Sequence, residues 1–568
     1  MEFQNIYSLF RAQCARYGDL PVFHTREDGG WASETWREFE EQVHDFACAL
    51  LAKGLSRGAS VAILAGNVPE WTIVDVASIA AGGVGVGIYP TSSAEQCEFI
   101  IDHSDAEFVF VDTPEQFQKI SNVTGRLRRV KMIISIGTPD ERLIELGDAE
   151  KDGVHFIPVT SWSEFLKIGR ENREPYLAVV ERMGREAKPD DTAIMVYTSG
   201  TTGKPKGAML SHRYILNSVE SLRQSVPIFD ADVCLSYLPG CHVAERISGI
   251  YNRLYNGTYA FFVDDLSRLY EYMLEVKPTV FASLPRFFEK IRAKILAEHG
   301  TAEIDPQIVK DAFGGRIRLL TSGGAPLSQE VGDFFARAGV PILQAYGLTE
   351  NICVAFNRAD DFKFGTVGKP MPMCDVKIAH DGEILVKSPM MFSGYYKEPE
   401  KTAEMFDADG WLKTGDLGEL DADGFLKITG RKKEIIVLSS GKNVAPALIE
   451  NYVKASHLIS QCFVYGDGRS YCVGLITLNA PEAESFAAAN GVEYSDLAEL
   501  TGNERIEAEV IAAVEAANAR VSNSEQIKKY IILDRDFSAE LDEVTPTMKI
   551  KRDVVARNFA PILERLYE

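Results

Sequence analysis

The run Ser60-Val-Ala-Ile-Leu64 is apolar without polar alternation, and after Pro69 the pattern changes to helical spacing. A run this short and continuous reads as a buried strand. The alternation recurs along the chain. Phe108-Val-Phe-Val111 is closed by Asp112 and Pro114. Thr192 to Tyr197 runs straight into a loop of Ser, Thr and Gly. Pro278 to Ala282 and Arg316 to Leu320 read as further strands, and Pro285 opens a helix from Arg286 to His299. Strands alternating with helices predict an α/β chain. At 568 residues it exceeds one hydrophobic core, so two to four domains or subdomains are expected.

After about Gly410 the texture changes to short strands and frequent turns. Phe425 to Ile428 and Ile435 to Leu438 read as a strand pair. Pro446 starts a helix with Leu448, Ile449, Tyr452 and Val453 on one face. Phe463 to Tyr465 and Val473 to Leu478 are two more strands. A long helix then carries Ile506, Val510, Val514, Ala517 and Val521. The expectation is a large N-terminal domain of layered α/β subdomains (1–430), a hinge (431–433) and a small, mobile α+β C-terminal domain (434–568).

Charge and cysteine usage narrow the function classes. The net charge is −22, and without a dense Lys/Arg block the chain is a poor binder of DNA or RNA backbones. Nine cysteines from Cys14 to Cys472 form no C-x-x-C pair, which argues against a disulfide framework or structural zinc and for a reducing compartment. The opening MEFQNIYSLFRAQCARYG is too polar for a secretory signal. No uncharged apolar run reaches the ~18 residues of a membrane helix: Val74 to Tyr89 contains Asp75 and four glycines. The final RLYE is not a peroxisomal address. A cytoplasmic protein, with at most peripheral membrane contact, is expected.

The most informative segment is Tyr197-Thr-Ser-Gly-Thr-Thr-Gly-Lys-Pro-Lys-Gly207. Glycines let backbone N–H groups approach an anion, hydroxyls add donors, and Lys204 and Lys206 add charge. The spacing is too short for a Walker A loop, and Pro205 stands where that loop needs Ser or Thr. The segment is a phosphate cradle of another kind. It resembles the signature loop of the adenylate-forming superfamily, which includes acyl-CoA synthetases, peptide-synthetase adenylation domains and luciferases.

Further motifs follow in the family's order. Thr321-Ser-Gly-Gly-Ala-Pro-Leu327 is similar to the adenine-pocket turn, and Gln344-Ala-Tyr-Gly-Leu-Thr-Glu350 to the motif after it. Thr414-Gly-Asp416 follows Trp411, and Gly430-Arg-Lys-Lys-Glu-Ile-Ile436 resembles the domain junction. Ser440-Gly-Lys-Asn-Val-Ala-Pro446 and Thr545-Pro-Thr-Met-Lys-Ile-Lys-Arg552 look like the versions in long-chain fatty acyl-CoA synthetases. So does Leu238-Pro-Gly-Cys-His-Val-Ala-Glu-Arg246, which carries His242 at the family's histidine position and a local Gly240-Cys241 variation.

The resemblance implies these roles. Thr198, Ser199, Gly200, Thr201, Thr202, Gly203 and Lys204 hold the β- and γ-phosphates. Gly323, Gly324, Ala325 and Pro326, with Gln344, Ala345, Tyr346 and Gly347, form the nucleotide pocket, Tyr346 stacking on adenine. Thr349 contacts the α-phosphate and Glu350 helps hold Mg2+. Asp416 accepts from the ribose, Arg431 contacts ribose or phosphate, and Lys433 is the hinge. Ser440, Gly441 and Lys442 line the channel for CoA. Lys549 is the catalytic lysine and His242 guards the acyl site. The implied reaction is ATP-dependent activation of a carboxylic acid to acyl-AMP, then transfer to CoA, by a monomer or homodimer. No Asp lies between Leu238 and Gly249 to meet a substrate ammonium, so a medium- to long-chain fatty acid fits better than an amino acid. Other readings are an aryl or specialised acid, a carrier-protein acceptor, a luciferase-like oxygenase, and a silent nucleotide- or acyl-binding protein.

Overall fold

In the computed structural model, the residues described are 3–27, 29–137, 157–198, 205–300, 304–325, 327–545 and 549–568. The largest sheet has eight described strands, in the spatial order Gly394–Tyr395, Lys206–Ser211, Thr192–Thr198, Val84–Ile88, Ser60–Leu64, Ala106–Val111, Met132–Ser135, Val159–Ser161. Its centre is parallel, and Lys206–Ser211 runs antiparallel to Thr192–Thr198. Side chains alternate faces along a strand. Val61 and Ile63 therefore enter one core and Ala62 and Leu64 another, and all four are buried. Two covered faces explain the unbroken apolar run.

Helix Pro69–Ala80 is buried almost throughout, apart from Glu70. Its Asp75 enters the interior and forms an ion pair with Arg246, both side chains fully covered. Arg246 Nε donates to Asp75 Oδ2 at 3.1 Å, and Tyr251 Oη donates to the same oxygen at 2.7 Å. The guanidinium lies over the Trp71 ring, 4.9 Å from its centroid. Arg246 and Tyr251 belong to a π-helical segment, Ala244–Tyr251, whose widened turns are common at functional sites. The Gly85 position in strand Val84–Ile88 makes room for the pair, since a Cβ there would meet the Asp75 carboxylate and come within 2.6 Å of Arg246 Nη2.

A second sheet carries Val280–Ser283, Leu319–Ser322, Ile342–Leu348, Asn351–Phe356 and Lys369–Pro370. A third joins Val233–Ser236, Tyr259–Phe262, Pro21–Glu27 and Gly30–Thr35. A fourth joins Asp375–Ile378, Glu383–Lys387, Leu412–Leu420 and Leu426–Arg431. Beyond the junction, strands Ile459–Tyr465, Cys472–Leu478 and Ile527–Leu533 form a small sheet with a core on each face. All nine cysteines are buried free thiols. Among the described residues no helix is long and apolar enough to cross a membrane.

The layered α/β architecture is as expected, with local corrections. Leu426–Arg431 does not pair with the segment after it. It pairs with Leu412–Leu420 through the turn 421–424, while Ile436–Val437 pairs with Asn443–Val444. The strand expected at Arg316 begins its described ladder at Leu319, because Arg316 and Arg318 are drawn aside to the Lys277 carbonyl and Asp232. In helix Pro446–Val453, Ile449 and Val453 are buried but Leu448 is 40% exposed, on the wall of the cleft described below. Val521 falls beyond the end of helix Glu504–Asn518.

Gly85→Ala is expected to destabilise the protein by about 3–5 kcal/mol, the cost of breaking a buried ion pair. Gly58→Ala, at φ +79 with open space around it, should cost about 1–2 kcal/mol. Urea unfolding followed by tryptophan fluorescence compares them, and equal losses would remove the pair from its central place.

Candidate functional site

A cleft of about 2750 Å³ opens between the sheets and is closed on one side by the small C-terminal unit. Its central wall is the hairpin of Ile342–Leu348 and Asn351–Phe356. Leu348 pairs with Asn351, so Thr349 and Glu350 form a two-residue tip. The tip is pinned from outside. Tyr214 Oη donates to the Thr349 carbonyl at 3.0 Å, and Phe392 N to the Glu350 carbonyl at 2.8 Å. Gly347 is needed here because a Cβ would collide with the Ile352 carbonyl. The Glu350 carboxylate is buried. Its Oε1 accepts a hydrogen bond from Tyr395 Oη, and Lys206 Nζ lies 4.9 Å from the Tyr395 ring centroid. Its Oε2 accepts nothing from a described residue, which leaves one carboxylate oxygen for a cation. Magnesium is commonly held by one or two carboxylates together with ligand phosphates and waters, so Glu350 fits such an ion.

Asp416 forms the next corner. It lies opposite Arg431 across the ladder of Leu412–Leu420 and Leu426–Arg431. Arg431 Nε stands 2.9 Å from Asp416 Oδ1, and Tyr346 Oη donates to Oδ2 at 2.6 Å. Burial, reinforced by the Asp416 carboxylate, pushes the Tyr346 phenol well above its ordinary range. Burial is the largest influence on Arg431 and opposes its charge, but Asp416, Glu434, Tyr346 and Glu350 together outweigh it, and the guanidinium pKa is raised. Gly415, at φ +72, makes the turn that aims Asp416 inward. Gly323, Gly324, Ala325 and Gln344 line the same region, and Gln344 Oε1 accepts from Leu327 N at 3.4 Å.

His242 also lines the cleft, just before the π-helical segment. Ala244 N donates to its Nδ1 at 3.1 Å. A backbone N–H can only donate, so Nδ1 is the bare nitrogen and the neutral ring carries its proton on Nε2. Burial lowers its pKa and favours this neutral form. The fourth side is the junction and the C-terminal unit. Lys549 lines the cleft, and its carbonyl accepts from Thr545 N at 2.8 Å. Its Nζ lies 3.0 Å from Glu434 Oε1 in an ion pair without an aligned hydrogen bond.

The cleft thus brings together Thr198, Gly323, Gly324, Ala325, Gln344, Ala345, Tyr346, Gly347, Thr349, Glu350, Asp416, Arg431, Lys433, Lys549 and His242. It does not include Ser440, Gly441 and Lys442, which occupy an exposed turn where Gly441 N donates to the Leu438 carbonyl at 2.8 Å. The expected phosphate ligands Ser199, Gly200, Thr201, Thr202, Gly203 and Lys204, and Pro326, lie outside the described residues. Thr198 and Lys206 face each other across the two strands on either side of that loop. Sequence reasoning missed Tyr395, Tyr214 and Glu434. Glu434 stood inside the Arg-Lys-Lys-Glu cluster, but the two tyrosines carried no local signal.

Comparison with known proteins follows this geometry. The model of the AMP-binding enzyme family matches residues 10–396, and that of the AMP-binding enzyme C-terminal domain matches 433–568. The chain belongs to the AMP-binding enzyme family. This AMP-binding enzyme is 34% identical to the long-chain-fatty-acid–CoA ligase FadD15 of Mycobacterium bovis, over 97% of this chain and 94% of that one. It is 32% identical to the peroxisomal long chain acyl-CoA synthetase 6 of Arabidopsis thaliana, over 91% and 79%. Its fold matches the A domain of a carboxylic acid reductase from Segniliparus rugosus, in complex with AMP and a co-purified carboxylic acid. The TM-score is 0.81 at 23% identity, covering 99% of this chain and 94% of that one. It also matches ATP-bound MatB from Rhodopseudomonas palustris at a TM-score of 0.73 and 22% identity, covering 98% and 99%.

Long-range 1H–15N NMR on this AMP-binding enzyme should find His242 as the Nε2–H tautomer, neutral at and below the ordinary imidazole pKa of about 6.5. Burial disfavours the charged ring, so its protonation should begin only at lower pH. An Nδ1–H tautomer, or titration at the ordinary value, would contradict the geometry.

Proposed function

We propose that this AMP-binding enzyme converts a fatty acid to its acyl-adenylate with ATP and then transfers the acyl group to CoA. The observation carrying the reading is the convergence of four groups on one cleft: the Tyr346–Asp416–Arg431 corner, the Glu350 carboxylate, neutral His242, and Lys549 from the C-terminal unit. The ligases to which the chain is similar at 34% and 32% identity support a long-chain acid as substrate and CoA as acceptor. An apolar part of the wall, including Leu222, Val226, Leu235 and Val243, suits a hydrocarbon chain. Each buried CH₂ contributes about 0.8 kcal/mol there.

In the first half-reaction a carboxylate oxygen attacks the α-phosphorus of ATP, a P–O bond forms, and the bond to pyrophosphate breaks. Both reactants are anionic, so the chain's task is to hold and neutralise them. Tyr346 flanks the adenine, Asp416 accepts from the ribose hydroxyls, and Arg431 meets ribose or phosphate. Thr349 donates to the α-phosphate. The loop 199–204 with Thr198 holds the outer phosphates. Lys549 leaves Glu434 and bridges the attacking carboxylate and the α-phosphate. His242 donates its Nε2 proton in a hydrogen bond to an acyl oxygen. Glu350 would hold Mg2+, which when bound would supply neutralising positive charge.

In the second half-reaction the CoA sulfur, losing its proton, attacks the acyl carbon, and the carbonyl–phosphate bond breaks to release AMP. Lys549 occupies the cleft while the turn of Ser440, Gly441 and Lys442 stands outside it, an arrangement that serves the first step. The C-terminal domain, 434–568, then rotates about the hinge 431–433 to bring that turn to CoA. Lys433 suits a pivot, because it is exposed and makes no ion pair with a described residue, whereas Arg431 and Lys432 are tied to Asp416, Asp381 and Glu383. Cytoplasmic location is part of the proposal.

Lys549→Ala should lower acid-dependent pyrophosphate release at least ~100-fold while sparing thioester formation from supplied acyl-AMP; unchanged release would remove the lysine from its role. Lys433→Pro should lose thioester formation first, and equal loss of both steps would count against the hinge. A panel of carboxylic acids with ATP, offering CoA or a phosphopantetheinyl carrier, should yield AMP and acyl-CoA together with fatty acids. Transfer to the carrier alone would overturn the acceptor.

A further inference from the structure

The acyl side of the cleft is not wholly apolar. Glu245 in the π-helical segment and Arg253 in helix Asn252–Asn256 line the same cleft as Leu222 and Val226. Arg253 Nη2 donates to Glu245 Oε1 at 2.9 Å and to Ser236 Oγ at 3.2 Å. The two charged side chains are only 11% and 8% exposed. Ser236 Oγ also lies 3.3 Å from Glu245 Oε1 and 2.9 Å from Asn67 Oδ1. Room for the carboxylate comes from Gly249, where a Cβ would lie 2.5 Å from Glu245 Cδ.

A guanidinium has a planar fork of N–H donors, and only one nitrogen of Arg253 is used. Its Nε and Nη1 donate to no described residue, yet neither is sealed in the interior. Arg253 itself lines the cleft, where a purely hydrocarbon ligand would strip water from these donors without replacing its hydrogen bonds. Nothing about carboxylate activation requires a cation on this wall.

We infer that Arg253 is a specificity-determining residue that binds an uncharged oxygen, a hydroxyl or keto group, carried on the hydrocarbon chain of the acid; this rests on the acid-activation reading above. The pairing with Glu245 sets the charge preference. The ion pair is neutral as a unit, so a second carboxylate would gain from Arg253 and be repelled by Glu245. An uncharged acceptor takes the open donors without that repulsion. A merely structural ion pair would treat all acids of equal length alike.

The test compares kcat/KM for plain, hydroxy- or keto-substituted, and α,ω-dicarboxylic acids over a ladder of chain lengths and substituent positions, read as acid-dependent pyrophosphate release. The wild-type enzyme should prefer one oxygenated series over its chain-matched plain acid by about tenfold or more, with dicarboxylic acids disfavoured. Arg253→Met should abolish that preference, mainly through KM. The double variant Arg253→Met/Glu245→Gln leaves no orphaned carboxylate and keeps the test open if the single variant unfolds, with folding checked by thermal denaturation. A wild-type enzyme with no preference at any length, or a folded variant that retains it, overturns the inference. Failure to turn over any acid would overturn the acid-activation reading itself and this inference with it.

Discussion

Asp416 is a carboxylate with 4% of its surface exposed, and a charge taken out of water must be matched by donors or it costs several kcal/mol. Much of the site's arrangement follows from that requirement. Tyr346 meets Asp416 from the second sheet and Arg431 meets it from across the fourth. Satisfying one carboxylate therefore ties two sheets together and brings an aromatic ring and a guanidinium to the cleft. The same logic operates deeper. Asp75 gathers Arg246 and Tyr251, and so ties a buried helix to the π-helical segment on the cleft wall. Glu245, one residue before Arg246, gathers a different partner, Arg253.

The junction applies this pairing rule between the large unit and the part proposed to rotate. Arg431 and Lys432 hold carboxylates of the large unit, and Glu434 holds Lys549 of the small one. Lys433 stands between them and holds neither. Consecutive residues thus anchor to opposite bodies, which concentrates any relative rotation within a single turn. The Lys549–Glu434 pair lacks the alignment of a good hydrogen bond, which leaves the ammonium's donors available to an anionic ligand. Lys549 is held near the cleft without being locked out of it.

Some of this was legible in the sequence, and the misreadings show where local reasoning stops. The strands at 60–64 and 108–111 were readable because both faces are buried and no polar residue interrupts them. Phe425 to Ile428 and Ile435 to Leu438 read as partners because they are adjacent apolar runs. The Lys432–Glu434 turn instead sends them to different sheets, and no local propensity encodes which ladder has a vacancy. Leu448 was placed in a core by its helical spacing, yet spacing names a face and not what that face meets. Here it is the cleft.

The amino-acid sequence by itself determined the class of fold, the order of the motifs and the chemical types at the site: a hydroxyl- and glycine-rich loop, Tyr346, Glu350, Asp416, Arg431 and Lys549. These depend on short-range properties, namely backbone freedom, strand and helix period, and the donors each side chain carries. Only the tertiary structure decided that Tyr395 donates to Glu350, that Glu434 holds Lys549, and that Arg253 opens donors into the acyl side. Those pairings join segments 45, 115 and 8 residues apart. The first two depend on how separate sheets stack, and the third on a π-helical turn that rotates Glu245 toward Arg253. Such choices are set by packing and by the need to match every buried charge, which no local stretch of sequence encodes.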